Sequence, residues 1–162
     1  MSNASGKAKY ILDANILIGF SIWAPIAFHK SFWSKLTTAL ENDEWILLDV
    51  VVNEITFEGD LKKWCKDQKK SALVKTVTDE NRDRAIEINN QYKMIDDVTQ
   101  NSTADTYIIA YAEANKLGIV TRENHKEIDK HLFKIPDVCA QLGIETIKRP
   151  ETFLRKIGLA NS

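Results

Sequence analysis

The sequence predicts an α/β fold, with a mostly parallel sheet between two layers of helices. Short apolar segments typical of buried strands alternate along the chain with longer segments whose apolar residues recur at helical spacing. Strands that are joined through helices run parallel, because the helix returns the chain to the end of the sheet where the previous strand began. With 162 residues, 44% of them hydrophobic, the chain can bury one sizeable core. We therefore expect a single domain over residues 9–158, after a disordered segment or expression remnant at residues 1–8.

The N-terminal half contains two of the predicted strands. The segment 9–14, KYILDA, has a continuous apolar run, as expected for a strand covered on both faces. In 27–43, phenylalanine or leucine recurs every four residues, which predicts an amphipathic helix. The apolar segment 45–52, WILLDVVV, is predicted as the second strand, and the helix after it, 53–59, is predicted to be capped by Asn53.

The middle of the chain predicts helices more clearly than strands. Segment 59–81 is expected to form a helix followed by a loop or a short extended piece, and 82–98 has apolar residues at helical spacing. The clearest element is 102–118, with Ser102 or Thr103 as N-cap, apolar residues almost all round, and a glycine at its end. A helix of this composition is expected to lie against a sheet.

Two strands and two short helices complete the predicted fold. IVTRE (119–123) and IETI (144–147) are apolar segments of strand length. The helix 150–158 begins with a proline, whose fixed φ suits the first helical position. Between the two strands, Asp137 is expected to cap a helix over 137–143.

Four acids occupy comparable places in this fold. Asp13 ends the first strand, Glu54 follows the second, Asp105 lies in the first turn of the apolar helix, and Glu123 follows the third strand. Ligands of parallel sheets bind beyond the carboxyl ends of the strands, so these side chains are expected to converge on one rim. Two carboxylates about 5 Å apart repel by roughly 3 kcal/mol at an effective dielectric of about 20, so the cluster needs protons or a cation. Oxygen ligands without histidine or cysteine favour Mg²⁺ or Mn²⁺.

A simpler explanation exists for some of these acids. Asp105 and Glu54, taken singly, are explained by the preference of acids for the first turn of a helix. Asp13 differs because it ends a buried apolar strand, where an unpaired carboxylate is costly. The acids as a set therefore favour a metal site.

The segments that hold these acids resemble the acidic motifs of PIN-domain ribonucleases, many of which are VapC-like toxins. The similar segments are ILDANILI, VVNEI, STADTYIIAYA and IVTRE, and the similarity extends from residue 9 to about residue 155. FWSKL and KIPDVCAQLGIETI resemble a less characterised PIN-like branch. The resemblance implies a parallel sheet of about five strands and metal-dependent endonucleolytic cleavage of RNA.

The resemblance also implies roles for individual residues and for partners. The catalytic residues, which bind the metal directly or through water, would be Asp13, Glu54, Asp105 and Glu123. Asn15 and Thr121 would orient carboxylates or water by hydrogen bonding. If the toxin interpretation holds, the partners are an RNA substrate, a small antitoxin laid over the rim, and a second copy of the chain in a homodimer.

Departures from the PIN pattern leave alternatives open. Glu123 stands where the family usually has aspartate, and the aspartate and aromatic pair that often follows is replaced by ENHKEIDKH. Asp137 is an alternative ligand, although a helix cap explains it more simply. The second functional hypothesis is therefore a catalytically degenerate PIN-like binding or scaffold protein. Phosphoryl transfer on a related doubly wound sheet is disfavoured, since no second acid lies two residues after Asp13. In addition, Thr121 is followed directly by arginine and glutamate and not by lysine.

Charge limits how the chain can bind nucleic acid. The 22 Lys and Arg residues nearly balance 23 Asp and Glu residues, and a net charge of -1 gives no global attraction for RNA. Contacts to the RNA backbone are therefore expected to be local, at Arg122, Lys126 and Lys130 beside the rim. The lysine-rich segment around Trp64 is either a second contact or a solvated helix face with Trp64 in the core.

The composition of the sequence also predicts the cellular compartment of the protein. No apolar run has membrane-spanning length, and no hydrophobic signal segment opens the sequence. Cys65 and Cys139 lie far apart and in no metal-ligand spacing, which indicates a reducing environment. We expect a cytoplasmic protein without a membrane partner.

Overall fold

Short strands alternate with helices along the described part of the chain. The computed structural model describes residues 9–100 and 103–159. In chain order, the elements are β1 (Tyr10–Leu12), α1 (Ala14–Trp23), α2 (Lys30–Glu41), β2 (Leu47–Leu48), α3 (Asp49–Glu54), α4 (Asp60–Lys70), β3 (Val74–Lys75), α5 (Asp79–Gln91), α6 (Thr103–Asn115), β4 (Gly118–Val120), α7 (Ile135–Leu142), β5 (Thr146–Ile147) and α8 (Pro150–Lys156). No helix within these two ranges has the length and apolar character needed to cross a membrane.

All strand pairs are parallel. β4 lies between β1 and β5 in a three-stranded sheet, and β2 pairs with β3 in a two-stranded sheet. A parallel bridge between Ile11 and Ile46 joins the two sheets, and the Ile46 amide donates to the Tyr10 carbonyl at 2.9 Å. The predicted α/β fold with a mostly parallel sheet is confirmed. Within the described residues, the main sheet has three strands, and the other two strands form a separate pair.

The strand order brings the carboxyl ends of β1 and β4 side by side. Leu12 and Val120, the last residues of the two strands, are register partners. The ladder continues one step further, because the Asp13 amide donates to the Val120 carbonyl at 2.9 Å and the Thr121 amide donates to the Ile147 carbonyl at 2.9 Å. Positions 13 and 121 are thus neighbours at one rim of the sheet.

Three tryptophans fix the layer formed by α2, β2 and α4. Trp33, Trp45 and Trp64 are all buried, and the rings of Trp45 and Trp64 stack with centroids 6.4 Å apart. Each buried indole N–H has a partner: the carbonyls of Ala24 and Leu36 and the hydroxyl of Thr37. Burial of these large rings is therefore not offset by an unsatisfied donor. The placement of Trp64 confirms the core interpretation of this residue.

The second strand is shorter than predicted, and the valines after it are helical. β2 ends at Leu48, and α3 takes up the rest of the predicted strand. The reason lies in Asp49, whose carboxylate accepts from the Val50 amide at 2.7 Å and whose charge favours a helix N-terminus. Asn53 is therefore not a helix cap, and Glu54 is the last residue of α3 instead of lying in the first turn of the next helix.

The predicted helix boundaries also need correction near the N-terminus. α1 was not predicted, because ILIGFSIW is apolar without a helical period. α2 begins at Lys30, so Phe28 precedes the helix and is 83% exposed instead of joining its apolar face.

α5 is displaced from its predicted range of 82–98. It begins three residues earlier, because Thr78 and Asn81 form a reciprocal capping box. It ends at Gln91, after which the Asn89 side chain accepts from the Met94 amide and turns the chain. In α6, the predicted cap Ser102 lies outside the described residues, and Thr103 is the first helical residue.

Candidate metal centre

Asp13 stands where β1 meets α1. It is buried and is the N-cap of α1, with one carboxylate oxygen accepting from the Ala14 amide at 2.8 Å. The other oxygen accepts from the Thr121 hydroxyl at 2.7 Å. These two bonds give the buried carboxylate the partners that it requires. They also fix its orientation at the rim between β1 and β4.

Thr121 and Asn15 link Asp13 to the segment after β4. The buried Thr121 hydroxyl, while donating to Asp13, accepts from the Glu123 amide at 3.2 Å. The Asn15 amide group donates to Thr121 at 3.4 Å and accepts from the Arg122 amide at 3.2 Å. The start of α1 is therefore tied to residues 121–123 through side chains, with Thr121 in direct contact with the Asp13 carboxylate and Asn15 in contact with Thr121 and the Arg122 amide.

Asp105 and Glu123 complete a cluster with Asp13. Asp105 lies in the first turn of α6, as predicted, and is buried; Glu123 is half-buried beyond β4. One carboxylate oxygen of each of the three residues lies within 4.8 Å of the others. Glu123 also accepts from the Ile135 amide at 3.2 Å, at the start of α7. Acids from three separate parts of the chain thus meet at one point of the rim.

The cluster is electrostatically strained without a cation. Burial raises the pKa of Asp105 to about 9, and the carboxylates of Glu123, Asp13 and Glu54 add to this increase. Burial also raises the pKa of Asp13, although its bond from Thr121 opposes the change. Asp105 shares a hydrogen bond with Glu123, which requires a proton on one of the two carboxyl groups. In the absence of a metal, protons therefore reduce the repulsion.

Glu54 lies beside this cluster without being one of its three ligand positions. It is exposed at the end of α3. Partial desolvation of its carboxyl group and the charges of Asp13 and Glu123 nevertheless raise its pKa to about 7. The structure therefore brings all four predicted acids into one electrostatic neighbourhood, although only three of them are close enough to contact one ion together.

The three residues that were predicted to contact RNA have different surroundings in the structure. Arg122 is exposed and lines a groove of about 350 Å³ with Gly19 and Trp23. Lys130 lines a cavity of about 510 Å³ that Glu123 also borders. Lys126 points back into its own loop, where its ammonium group donates to the Lys130 carbonyl at 3.0 Å. Arg122 and Lys130 are therefore better placed than Lys126 to contact a phosphate.

Asp137 is not the N-cap that was predicted, because α7 begins at Ile135 and Asp137 lies in its first turn. Its carboxylate accepts from the Lys134 amide at 2.9 Å, the bond that a residue of the first turn makes to the N-cap position. It also accepts from the Lys126 amide and from His125. With its oxygens occupied by these donors, Asp137 is not part of the acidic cluster. Its contacts to residues 125 and 126 depend on the path of the loop and leave no pattern in the sequence.

Comparison with known proteins assigns the chain to a family. The model for a Domain of unknown function (DUF4411) matches residues 10–159. The chain belongs to this family. The DUF4411 match spans every element described above, from β1 to α8. No curated protein matches the chain.

Two solved structures are similar to this DUF4411 chain at low sequence identity. One is a toxin-antitoxin complex from Klebsiella pneumoniae, with 20% identity, a TM-score of 0.43, and coverage of 71% of this chain and 87% of the other. The second is FitAB bound to an IR36 DNA fragment, with 14% identity, a TM-score of 0.49, and coverage of 85% and 93%. At this level of similarity, the function of the chain has to be argued from its own residues.

Proposed function

We propose that this DUF4411 chain is a PIN-like, metal-dependent endoribonuclease. The observation that carries the proposal is the meeting of Asp13, Asp105 and Glu123, with one oxygen of each within 4.8 Å of the others. The acidic motifs of the sequence, which resemble those of PIN-domain ribonucleases, support the same function. We assign the catalytic and metal-binding roles to these three residues, with Glu54 as a fourth acid that acts through water.

The residues present fit a hard divalent cation. Oxygen ligands at about 2.1 Å from an octahedral Mg²⁺ lie about 3.0 Å apart when adjacent and about 4.2 Å apart when opposite, so the three carboxylates would have to draw closer together around an ion. The donor set contains carboxylates alone, as Mg²⁺ and Mn²⁺ prefer. A cation would also remove the repulsion that raises the pKa of Asp105. When bound, such an ion lowers the pKa of a coordinated water and stabilises charge on a phosphodiester.

The chain's own residues hold the site in place before the substrate arrives. Asp13 is fixed by Thr121 on one oxygen and by the α1 backbone on the other. Glu123 is fixed by the Ile135 amide. Arg122 and Lys130 are exposed and line two separate grooves, of which the Lys130 groove also borders Glu123, so both offer positive charge to a phosphate backbone. Preorganisation of this kind is what electrostatic catalysis requires.

Several parts of this proposal rest on the PIN resemblance. They are RNA as the substrate, an antitoxin as a protein partner, and a homodimer as the assembly. A cytoplasmic location is proposed from the two cysteines, both of which are free and buried. The single-domain organisation over residues 9–158 also remains a prediction.

Metal binding is tested first by thermal unfolding after EDTA treatment. We expect Mn²⁺ and Mg²⁺ at about 100 times Kd to raise the Tm of wild type by about 5 to 10 °C, because a ligand of the folded state adds about 2.7 kcal/mol. Asp105→Asn should respond much less. Asp60→Asn is the matched control, since Asp60 is an acid in the first turn of α4 and lies outside the cluster. Its response should equal that of wild type.

The outcome of the titration separates the two functional hypotheses. If neither ion changes the Tm of wild type, the metal-nuclease proposal fails. If wild type responds, single-stranded RNA is incubated with wild type and with Asp105→Asn in the presence of Mn²⁺, and we expect cleavage by wild type only. Metal binding without any RNA cleavage would favour the binding or scaffold hypothesis instead.

A further inference from the structure

We propose that Asp137 is a positioning residue, which places the Glu123 carboxylate in the metal cluster by closing the loop formed by residues 124–134. The inference rests on the proposed metal site, because its function is to hold one of the ligands. Asp137 itself contacts neither the cluster nor the cation position. It acts through the loop that follows Glu123 and through the first turn of α7.

The 124–134 loop contains neither helix nor strand, and Glu123 immediately precedes it. A loop of this length has no backbone ladder to fix its course, so side chains or buried anchors must do so. The loop also borders the cavity of about 510 Å³ next to Glu123. The position of Glu123 therefore depends on how the two ends of the loop are held together.

The Asp137 carboxylate holds both ends. One oxygen accepts from the Lys126 amide at 2.9 Å and from the Lys134 amide at 2.9 Å, which belong to opposite ends of the loop. The other oxygen accepts from His125 Nδ1 at 2.7 Å. The Asp137 side chain is only 13% exposed, so its carboxylate has little access to water and depends on these donors.

The same helix start supplies the hydrogen bond to Glu123. The Ile135 amide, two residues before Asp137, donates to Glu123 at 3.2 Å. Ile135 and Pro136 are buried and anchor the first turn of α7 in the core. Lys126 is linked to this anchored turn through Asp137, only three residues after Glu123. Glu123 is thus held at its own carboxylate and again just beyond it in the chain.

Two substitutions of Asp137 distinguish the hydrogen bonds of its side chain from its negative charge. Asp137→Ala leaves two loop amides and His125 without their partner, and the loop should open. Asp137→Asn can keep both amide bonds through its carbonyl oxygen and can donate its NH₂ group to neutral His125. His125→Ala removes one donor and leaves both amide bonds in place. Glu151→Ala is the matched control, since Glu151 is an acid in the first turn of α8 outside this loop.

The experiment measures Mn²⁺ affinity by isothermal titration calorimetry on each variant, with circular dichroism to verify folding. We expect Asp137→Ala to weaken binding about 10- to 100-fold, as is usual when a residue that supports a ligand is lost. Asp137→Asn, His125→Ala and Glu151→Ala should stay within about threefold of wild type. If Asp137→Ala fails to fold, Asp137→Ser takes its place with the same expectation. Affinity of the folded variant equal to that of wild type would overturn the inference.

A second measurement keeps this inference separate from the metal proposal. If wild type binds no ion, the proposed metal site fails, but the placement of Glu123 can still be tested by amide hydrogen exchange of Ile135. Faster exchange at Ile135 in Asp137→Ala than in Asp137→Asn supports positioning by Asp137. Equal exchange in the two variants overturns it.

Discussion

Asp105 is the residue at which stability and the proposed activity oppose each other. Its carboxyl group is buried in the first turn of α6 and faces two other acids. Burial and these charges raise its pKa to about 9, so a proton on Asp105 stabilises the metal-free protein. A functional carboxylate at this position is therefore a cost to the fold that a cation would offset.

The pH dependence of stability should reveal this cost. An acid whose folded pKa is raised binds more protons in the folded than in the unfolded state, so its contribution is complete below pH about 4 and is lost up to pH about 9. The loss is at most about 1.4 kcal/mol per pH unit for one group. We expect the Tm of the metal-free wild type to fall from pH 5 to 8, and that of Asp105→Asn to fall less. Parallel curves for the two proteins would contradict this assignment.

Some residues of the candidate site were predictable because elementary geometry places them. Asp13 and Glu123 follow neighbouring parallel strands, and Asp105 opens the apolar helix, so the rim rule identifies all three. Glu54 also lies near these acids, but at the end of α3 and not, as predicted, in the first turn of a following helix. The contacts of Asp137 with His125 and Lys126 could not be predicted, because no periodicity constrains the loop between them.

At the scale of elements, the contact of β4 with β1 depends on a glycine. Gly118 is paired with Tyr10, and a Cβ at position 118 would lie 3.0 Å from two ring carbons of Tyr10 and 3.3 Å from the Glu145 carbonyl. Tyr10 is buried, so its ring has little room to move away. The close approach of three segments at this point thus requires the smallest residue.

Two glycine-to-alanine substitutions should have opposite effects. Gly118→Ala is expected to lower the free energy of unfolding by about 1 to 3 kcal/mol through overpacking. In Gly19→Ala, within α1, the new Cβ would lie at an ordinary 3.4 Å from the Arg122 side chain. This substitution should raise the free energy of unfolding by up to about 1 kcal/mol through helix propensity. Urea unfolding of both variants measures the difference. A stabilised Gly118→Ala would show that the contact relaxes without cost.

The elements that sequence patterns misplaced are those where a local bond overrides propensity. The valines of α3 favour strands, yet Asp49 starts a helix there with its own carboxylate. The capping box of Thr78 extends α5 beyond its apolar pattern in the same way. The apolar strands β1 and β4 and the helix α6 were predicted because burial alone determines them.

For the whole molecule, the open question is whether the two sheets unfold together. The main sheet and the β2–β3 pair meet through the bridge between Ile11 and Ile46. Cys65 lies in α4, between β2 and β3 in the chain, and Cys139 lies in α7, between β4 and β5. Each is a natural reporter for one of the two sheets, because both are free and buried.

Thiol labelling tests the prediction of a single domain. Burial raises the pKa of Cys65 to about 11 and that of Cys139 to about 12, so neither thiol should react until the chain opens. If residues 9–158 unfold as one unit, both cysteines should be alkylated at the same rate, and Mn²⁺ should slow both equally. Mass spectrometry distinguishes the two sites. Labelling of one thiol at least tenfold faster would show that its sheet opens independently.

The meeting of three carboxylates at one rim also makes cations and protons competitors for the same oxygens. A metal ion that enters must displace the protons that the cluster holds at neutral pH, and it therefore acidifies the surrounding medium. The apparent affinity for the ion consequently falls as the medium becomes more acidic. Under the proposed function, these three carboxylates would make occupancy of the centre dependent on acidity, without any contribution from a histidine.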